Sequence, residues 1–175
     1  MMFHPSPRGF IISVSIAVIA CMMLFPSCMK KEVYPDTPEI HFQNFVTEFD
    51  TGKVAKRGYL TISFKDGNGD IGLRPEEKQP PYDTAGPYYY NFIIDYWEKQ
   101  NGTYVKLDLL IPLSARIPYL TPADPNKAIK GFIVDTIMLN PRPAHDTIKF
   151  KFFIYDRALH KSNVDSTPPI ILRRR

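Results

Sequence analysis

Apolar and polar residues alternate along most of the chain after residue 38, a pattern typical of β-strands with one buried face. In Tyr59–Lys65, Leu60, Ile62 and Phe64 fall on one face and polar residues on the other. The pattern predicts seven strands: Glu39–Phe49, Tyr59–Lys65, Tyr88–Lys99, Tyr104–Leu110, Ala128–Leu139, Thr147–Tyr155 and Ile170–Leu172.

The segments between the strands carry turn signals instead of helical periodicity. Asn101-Gly102 predicts a tight hairpin turn, because both residues tolerate positive φ. Seventeen prolines also disfavour helices. The loops Arg74–Pro87 and Ile111–Asn126 are long and proline-rich, so they either carry recognition or cover sheet edges. Asp135, inside an apolar strand, is expected to face outward.

About seven strands separated by turns predict a single antiparallel β-sandwich of immunoglobulin-like type, an all-β fold. A jelly roll or a small barrel is the alternative. We expect the sandwich to span residues 39–175, which is enough chain for one domain with a sizeable core.

The first 27 residues have the order of a secretory signal peptide. An apolar run covers Phe10–Ser27, and Cys28 and a polar stretch follow it. Residues 28–38, with two prolines, are predicted to form an extended tether. The alternatives are an uncleaved membrane helix, for which 18 residues is close to the lower limit, and a plain secreted protein.

The placement of the two cysteines resembles the signal of bacterial lipoproteins, in which a small residue precedes a cysteine that is acylated and becomes the new N-terminus. Ser27-Cys28 lies at the apolar-to-polar boundary and resembles the relaxed signals of Bacteroidota-like bacteria. Ala20-Cys21 matches the usual letters better, but cleavage there leaves an apolar segment exposed. The resemblance implies lipidation at Cys28, with Cys21 as the alternative, and an anchor in the cell envelope, at the outer membrane.

Asp66-Gly67-Asn68-Gly69-Asp70 directly follows a predicted strand and places three oxygen side chains at alternate positions. Calcium takes hard oxygen ligands at such spacing, so Asp66, Asn68 and Asp70 are candidate calcium ligands. The segment departs from the EF-hand pattern, because Ile71 replaces the turn glycine and no helices flank the loop. A turn in which the carboxylates bind their own backbone is the alternative interpretation.

A second polar segment, Asp156–Asn163, resembles the D-x-A-G-N-x-S ending of bacterial immunoglobulin-like and fibronectin-like repeats, with Leu159-His160 in place of Gly-Asn. In such a sandwich the Asp66–Asp70 loop would neighbour Asp156, Asn163 and Asp165, which predicts a shared polar or metal-binding end. With the leader, these segments resemble small lipoproteins of Bacteroidota-like bacteria. That resemblance implies an envelope location and an immunoglobulin-like sandwich, but no particular activity.

Aromatic residues are dense in the middle of the chain. Alternation along a strand puts Tyr89 and Trp97 on the same face, and Tyr104 lies on the next strand. An exposed stripe of Tyr89, Trp97 and Tyr104 would stack on sugar rings or anchor a protein partner. Ordinary packing in the core and along edges is the alternative.

The remaining composition excludes several classes of function. A net charge of +4 is too small to indicate nucleic-acid binding. The sequence has no nucleophile, zinc or phosphate-binding motif. The expected function is therefore non-enzymatic: a lipid-anchored binding or assembly module for a protein or glycan partner. The alternatives are an accessory structural subunit of an envelope complex, a carbohydrate-binding protein, and an enzyme with a deep pocket of convergent carboxylates or histidines.

Overall fold

A computed structural model describes residues 33–123, 128–140 and 144–173 of this chain. The predicted signal peptide and both cysteines lie outside these residues. Within the described ranges there is no helix of the length and apolar character needed to cross a membrane. The strands, in chain order, are β1 (Glu39–Phe49), β2 (Ala55–Asp66), β3 (Phe92–Gln100), β4 (Thr103–Leu107), β5 (Ile129–Met138), β6 (Thr147–Ile154), β7 (Asp165–Ser166) and β8 (Ile170–Ile171).

The strands form two antiparallel sheets. One has the order β1-β2-β5, and the other has the order β4-β3-β6-β7, with β8 also pairing with β6. Immunoglobulin-type sandwiches likewise hold their first, second and fifth strands in one sheet and their third and sixth in the other. The all-β sandwich prediction is confirmed. Neither sheet closes on itself among the described strands, so the small-barrel alternative is wrong for this part of the chain.

Most strand bounds differ from the sequence prediction by a few residues. β2 begins at Ala55, four residues early, because its start continues the hairpin with the end of β1. β3 begins at Phe92, where its pairing with β6 also begins. The turn Asn101-Gly102 joins β3 and β4 as predicted, with φ of 50° and 85°. The short strand β7 was not predicted, since two residues are too few to show alternation.

The core lies between the inner faces of the two sheets. Phe150 is fully buried, and its ring centroid lies 5.5 Å from that of Phe45 and 6.0 Å from that of Tyr96. These contacts join β6 to its neighbour β3 and to the opposite sheet. The residues Val33–Arg175 form a compact unit with this core inside it, so we expect the unit to fold by itself.

In strand β5 the face directed to the core is the opposite of the one that the sequence prediction implied. Asp135 pairs with Leu60, which is fully buried, so Asp135 faces inward and the expectation that it faces outward is wrong. Both faces of β5 are apolar, and alternation alone did not decide between them; pairing with β2 did. The outward residues Phe132, Val134 and Met138 are consequently 63–69% exposed.

The two long loops pack on one another at one end of the sandwich. Ala115 exchanges backbone hydrogen bonds with Phe92, and Leu73 bridges to Pro118. The Arg116 guanidinium donates to the carbonyl oxygens of Tyr89 and Glu77 at 2.8 and 3.0 Å. Part of the second loop therefore extends the sheet, and Arg116 holds the first loop against it.

Residues 34–38, at the end of the predicted tether, lie against the domain. Pro38 is buried, and the Gly67 N–H donates to the Pro35 carbonyl at 2.8 Å. This contact places the chain entry next to the Asp66–Asp70 turn.

Candidate functional site

The end of β2 and the end of β6 bring three aspartates together at one end of the sandwich. Asp66 is the last residue of β2, Asp70 follows in the turn, and Asp156 comes shortly after β6. A bridge between Ile71 and Asp156 joins the two segments. The Arg157 N–H also donates to the Asp70 carbonyl at 3.1 Å. Backbone pairing therefore positions the three carboxylates.

The three carboxylates form a tight and largely buried cluster. One oxygen from each lies within 4.8 Å of the other two. Asp66 is fully buried and Asp156 is 2% exposed. Oδ2 of Asp66 accepts the Asp70 N–H at 2.9 Å. The oxygens Oδ1 of Asp66 and Oδ1 of Asp70 are buried and accept no hydrogen bond from the part of the chain that the structure describes.

Burial and mutual repulsion disfavour the charged forms of these groups. Burial, and secondarily the charge of Asp70, raises the pKa of Asp66 from 3.8 to about 7. Burial and the charge of Asp156 also raise the pKa of Asp70, while the Arg157 guanidinium partly offsets this. A carboxylate with an unsatisfied buried oxygen is costly, so the cluster favours a positive ligand.

Two residues next to the carboxylates, His160 and Asn68, form hydrogen bonds with members of the cluster. Asp156 accepts the backbone N–H of His160 at 2.7 Å, and its other oxygen lies 2.9 Å from His160 Nδ1. These contacts fix the Asp156 carboxylate. The amide oxygen of Asn68 lies 3.4 Å from the Asp70 nitrogen, a weak contact typical of a turn.

Asn163 and Asp165 do not join the carboxylate cluster, although the sequence placed them at a shared end. Asn163 forms hydrogen bonds to both the N–H and the carbonyl of Ile40, each 2.8 Å long. Asp165 accepts the Phe42 N–H at 2.6 Å. Their side chains instead satisfy the free edge of β1 and tie it to the segment after β6. Of the three residues predicted beside the Asp66–Asp70 loop, Asp156 therefore joins the carboxylates, and the other two bind the backbone of β1.

The chain matches no protein-family model, no curated protein and no solved structure. The candidate site is therefore interpreted from its own geometry and chemistry.

The predicted aromatic stripe is divided in the structure. Trp97 and Tyr104 share the outer face of the five-stranded sheet. A lysine ammonium group covers each ring. The Lys151 Nζ lies 4.1 Å from the centroid of the Trp97 ring, and the Lys149 Nζ lies 4.4 Å from the centroid of the Tyr104 ring. Tyr89 precedes β3 and packs under Arg116, at 4.9 Å. Trp97 and Tyr104 thus come together in a lysine-capped surface, while Tyr89 belongs to the loop anchored by Arg116.

Sequence reasoning missed three features that concern function. It did not find His160 as the partner of Asp156, and it did not find the outward apolar row of β5. It also missed Glu98, a buried carboxylate that accepts a 2.9 Å hydrogen bond from the Tyr96 hydroxyl. Alternation along β3 places Tyr96 and Glu98 on one face, and a charge on an otherwise apolar face was the available signal.

Proposed function

We propose that this protein is a lipid-anchored binding module of the cell envelope whose sandwich holds a calcium ion between Asp66, Asp70 and Asp156. The observation that carries the calcium part is Oδ1 of Asp66, a fully buried carboxylate oxygen with no hydrogen-bond donor among the described residues. One oxygen of the same carboxylate lies within 4.8 Å of oxygens from Asp70 and Asp156. A divalent cation there would satisfy this oxygen and remove the repulsion.

The donor set fits calcium better than other common metals. All three ligands are carboxylates, whereas zinc prefers nitrogen and sulfur. Calcium–oxygen distances of about 2.3–2.6 Å allow two ligand oxygens to lie up to roughly 5 Å apart, and the three carboxylate oxygens lie within 4.8 Å of one another, so a small inward shift of the side chains would complete the coordination. Magnesium needs distances of about 2.0–2.1 Å and tighter geometry. Calcium is therefore the proposed ion, and Asp66, Asp70 and Asp156 would hold it.

The proposed role of the ion is structural. It would join the turn after β2 to the segment after β6, which carry the ligands from opposite sheets. A neutralised cluster would also fix the neighbouring loop, because the Tyr82 hydroxyl donates to the Arg157 carbonyl beside it. This supports a binding module with an ordered loop end rather than an enzyme.

The anchor and the location rest on the sequence. Lipidation at Cys28 and attachment at the outer membrane follow from the resemblance to lipoprotein signals. An assembly role is supported by β5, which is an edge strand and exposes Phe132, Val134 and Met138 on its outer face. Apolar side chains grouped in this way mark protein interaction sites. A protein partner in the envelope is therefore favoured over a glycan.

Direct titration tests the calcium proposal. We expect the unit Val33–Arg175, stripped with EDTA, to bind one calcium ion in isothermal titration calorimetry, and magnesium at least about tenfold more weakly. Asp70→Asn should abolish this binding, and Asp108→Asn, a change at an exposed aspartate after β4, should preserve it. Undiminished calcium binding by Asp70→Asn, or none by the wild type, contradicts the proposal.

Site-specific cross-linking tests the assembly role. The full-length protein would carry the photo-cross-linking residue p-benzoylphenylalanine in place of Val134 in intact cells, and in place of Lys99 as the matched control. Both positions are exposed, but Lys99 belongs to the five-stranded sheet. We expect one discrete cross-linked protein from position 134, lost with Cys28→Ala if the anchor brings the partners together. Equal patterns from both positions, or none, would argue against β5 as the contact surface.

A further inference from the structure

A cavity opens where the edges of the two sheets face each other, away from the aspartate cluster. Its volume is about 520 Å³. Edge strands β4 and β5 contribute Leu107 and Met138, and the chain after β8 contributes Leu172. Cavities of this size are typical of small-molecule sites.

The walls of the cavity are aliphatic and continue onto the protein surface. Leu113 and Leu139 line it, and Leu139 is 7% exposed. Leu110 and Ile111, also part of the lining, are 99% and 77% exposed. Two such aliphatic side chains in water at the cavity are costly unless a ligand covers them, so the lining indicates an aliphatic occupant.

Among the described residues that line the cavity, one is charged. Glu98 is 6% exposed and forms part of the cavity surface. The Tyr96 hydroxyl donates to its Oε1 at 2.9 Å, and burial together with this bond raises the pKa of Tyr96, which keeps the hydroxyl a donor. The other oxygen of Glu98, Oε2, lies 3.5 Å from Gln100 Nε2 and 4.0 Å from His145 Nε2. These long contacts leave Oε2 able to accept a strong hydrogen bond.

We propose that this cavity binds an aliphatic chain that ends in a protonated amine, with the ammonium on Glu98 and the chain along the leucine walls. A carboxylate accepts hydrogen bonds and donates none, so it selects a donor and repels an anion. Fatty acids would place two negative charges together in an apolar site, whereas alkyl alcohols would form a weaker, neutral hydrogen bond. The site is separate from the proposed calcium site and does not depend on it.

Calorimetry with three ligands of equal length tests this proposal on the unit Val33–Arg175. The probes are decylamine, decanol and decanoate, each below its micelle concentration. We expect decylamine to bind about tenfold more tightly than decanol, since a charge-assisted hydrogen bond exceeds a neutral one by roughly that factor, and decanoate to bind most weakly. Equal affinities, or no saturable binding of decylamine, would overturn the proposal.

Two variants separate the head group from the chain. Glu98→Gln should reduce decylamine binding to the level of decanol, whereas Glu76→Gln, at an exposed loop position, should change nothing. Leu113→Trp fills the cavity at a partly exposed position and should abolish binding of all three ligands while the domain stays folded. An amine preference that survives Glu98→Gln contradicts the assignment. If that variant fails to fold, the wild-type ranking and Leu113→Trp decide the matter.

Discussion

Replacing Asp66 with asparagine is expected to stabilise the calcium-free domain and to abolish its stabilisation by calcium. The fully buried carboxylate of Asp66 has a pKa of about 7 because of burial and the nearby Asp70. An amide has the same shape and no charge, and it can donate a hydrogen bond to the neighbouring carboxylates. The variant therefore relieves the repulsion and loses a ligand in the same step.

Thermal unfolding with and without calcium measures both effects. Calcium at a hundred times its dissociation constant should stabilise the wild type by about 2.7 kcal/mol, or on the order of 5–10 °C in Tm. Without calcium, the free energy of unfolding of Asp66→Asn should exceed that of the wild type by roughly 1–3 kcal/mol. With calcium it should show no further shift, and Asp108→Asn should behave as the wild type. A calcium-free Asp66→Asn domain that is less stable than the wild type would show that the carboxylate is satisfied without a cation.

The pH dependence provides a check on the cause of this effect. The folded pKa of Asp66 is raised, so the folded state holds a proton that the unfolded chain releases near pH 4. The contribution of this proton to the free energy of unfolding is fully present below about pH 4. It is lost as the pH rises through about 7, which lowers the free energy of unfolding by up to roughly 4 kcal/mol. The advantage of Asp66→Asn over calcium-free wild type should therefore shrink as the pH is lowered from 8 to 5. A difference independent of pH would show that Asp66 does not titrate there.

Replacing Gly72 with alanine is expected to destabilise the domain by about 3 kcal/mol or more. Gly72 has a φ of +89°, and an added Cβ would lie 1.9 Å from the Pro118 carbonyl oxygen. The strained backbone and the clash both oppose the substitution. The contact with Pro118 also lies next to Ile71, which pairs with Asp156. Calcium affinity should therefore fall together with stability.

Gly102→Ala is the matched control, because it separates backbone strain from the clash. Gly102 has a φ of +85°, but in the described part of the chain, its two neighbours in sequence aside, no heavy atom lies within 4 Å of the added Cβ. Its substitution should cost about 1 kcal/mol and leave calcium affinity unchanged. Chemical unfolding and calcium titration of both variants measure the difference. Equal losses of stability would mean that the loop at Pro118 moves aside, and that it does not fix the proposed calcium site.

Local patterns in the sequence were sufficient to find the longer strands and the hairpin turn, but not the two-residue strand β7. Period-two alternation in β2 identified its buried face, with Leu60, Ile62 and Phe64, since every second residue of a strand faces the core. The hairpin at Asn101-Gly102 needed no tertiary information, because its conformation depends on two adjacent residues. The acidic turn Asp66–Asp70 was also visible as a local motif, with its two interpretations left open.

Strand pairing decided what alternation could not. Both faces of β5 are apolar, so only its register with β2, which sets Asp135 opposite Leu60, determined that Phe132 and Val134 face solvent. The assignment of Trp97 and Tyr104 to one face required the pairing of β3 with β4. The lysines that cover their rings come from β6, more than forty residues away in the chain.

The sequence by itself determined an all-β sandwich and an acidic turn whose residue types suit a metal ion. Only the tertiary structure decided that Asp156 joins Asp66 and Asp70, while Asn163 and Asp165 bind the edge of β1. Burial of Asp66 and of Glu98 was likewise a tertiary outcome. The physical reason is that strand periodicity is local, whereas burial, carboxylate repulsion and cavity shape depend on which distant segments the two sheets bring into contact.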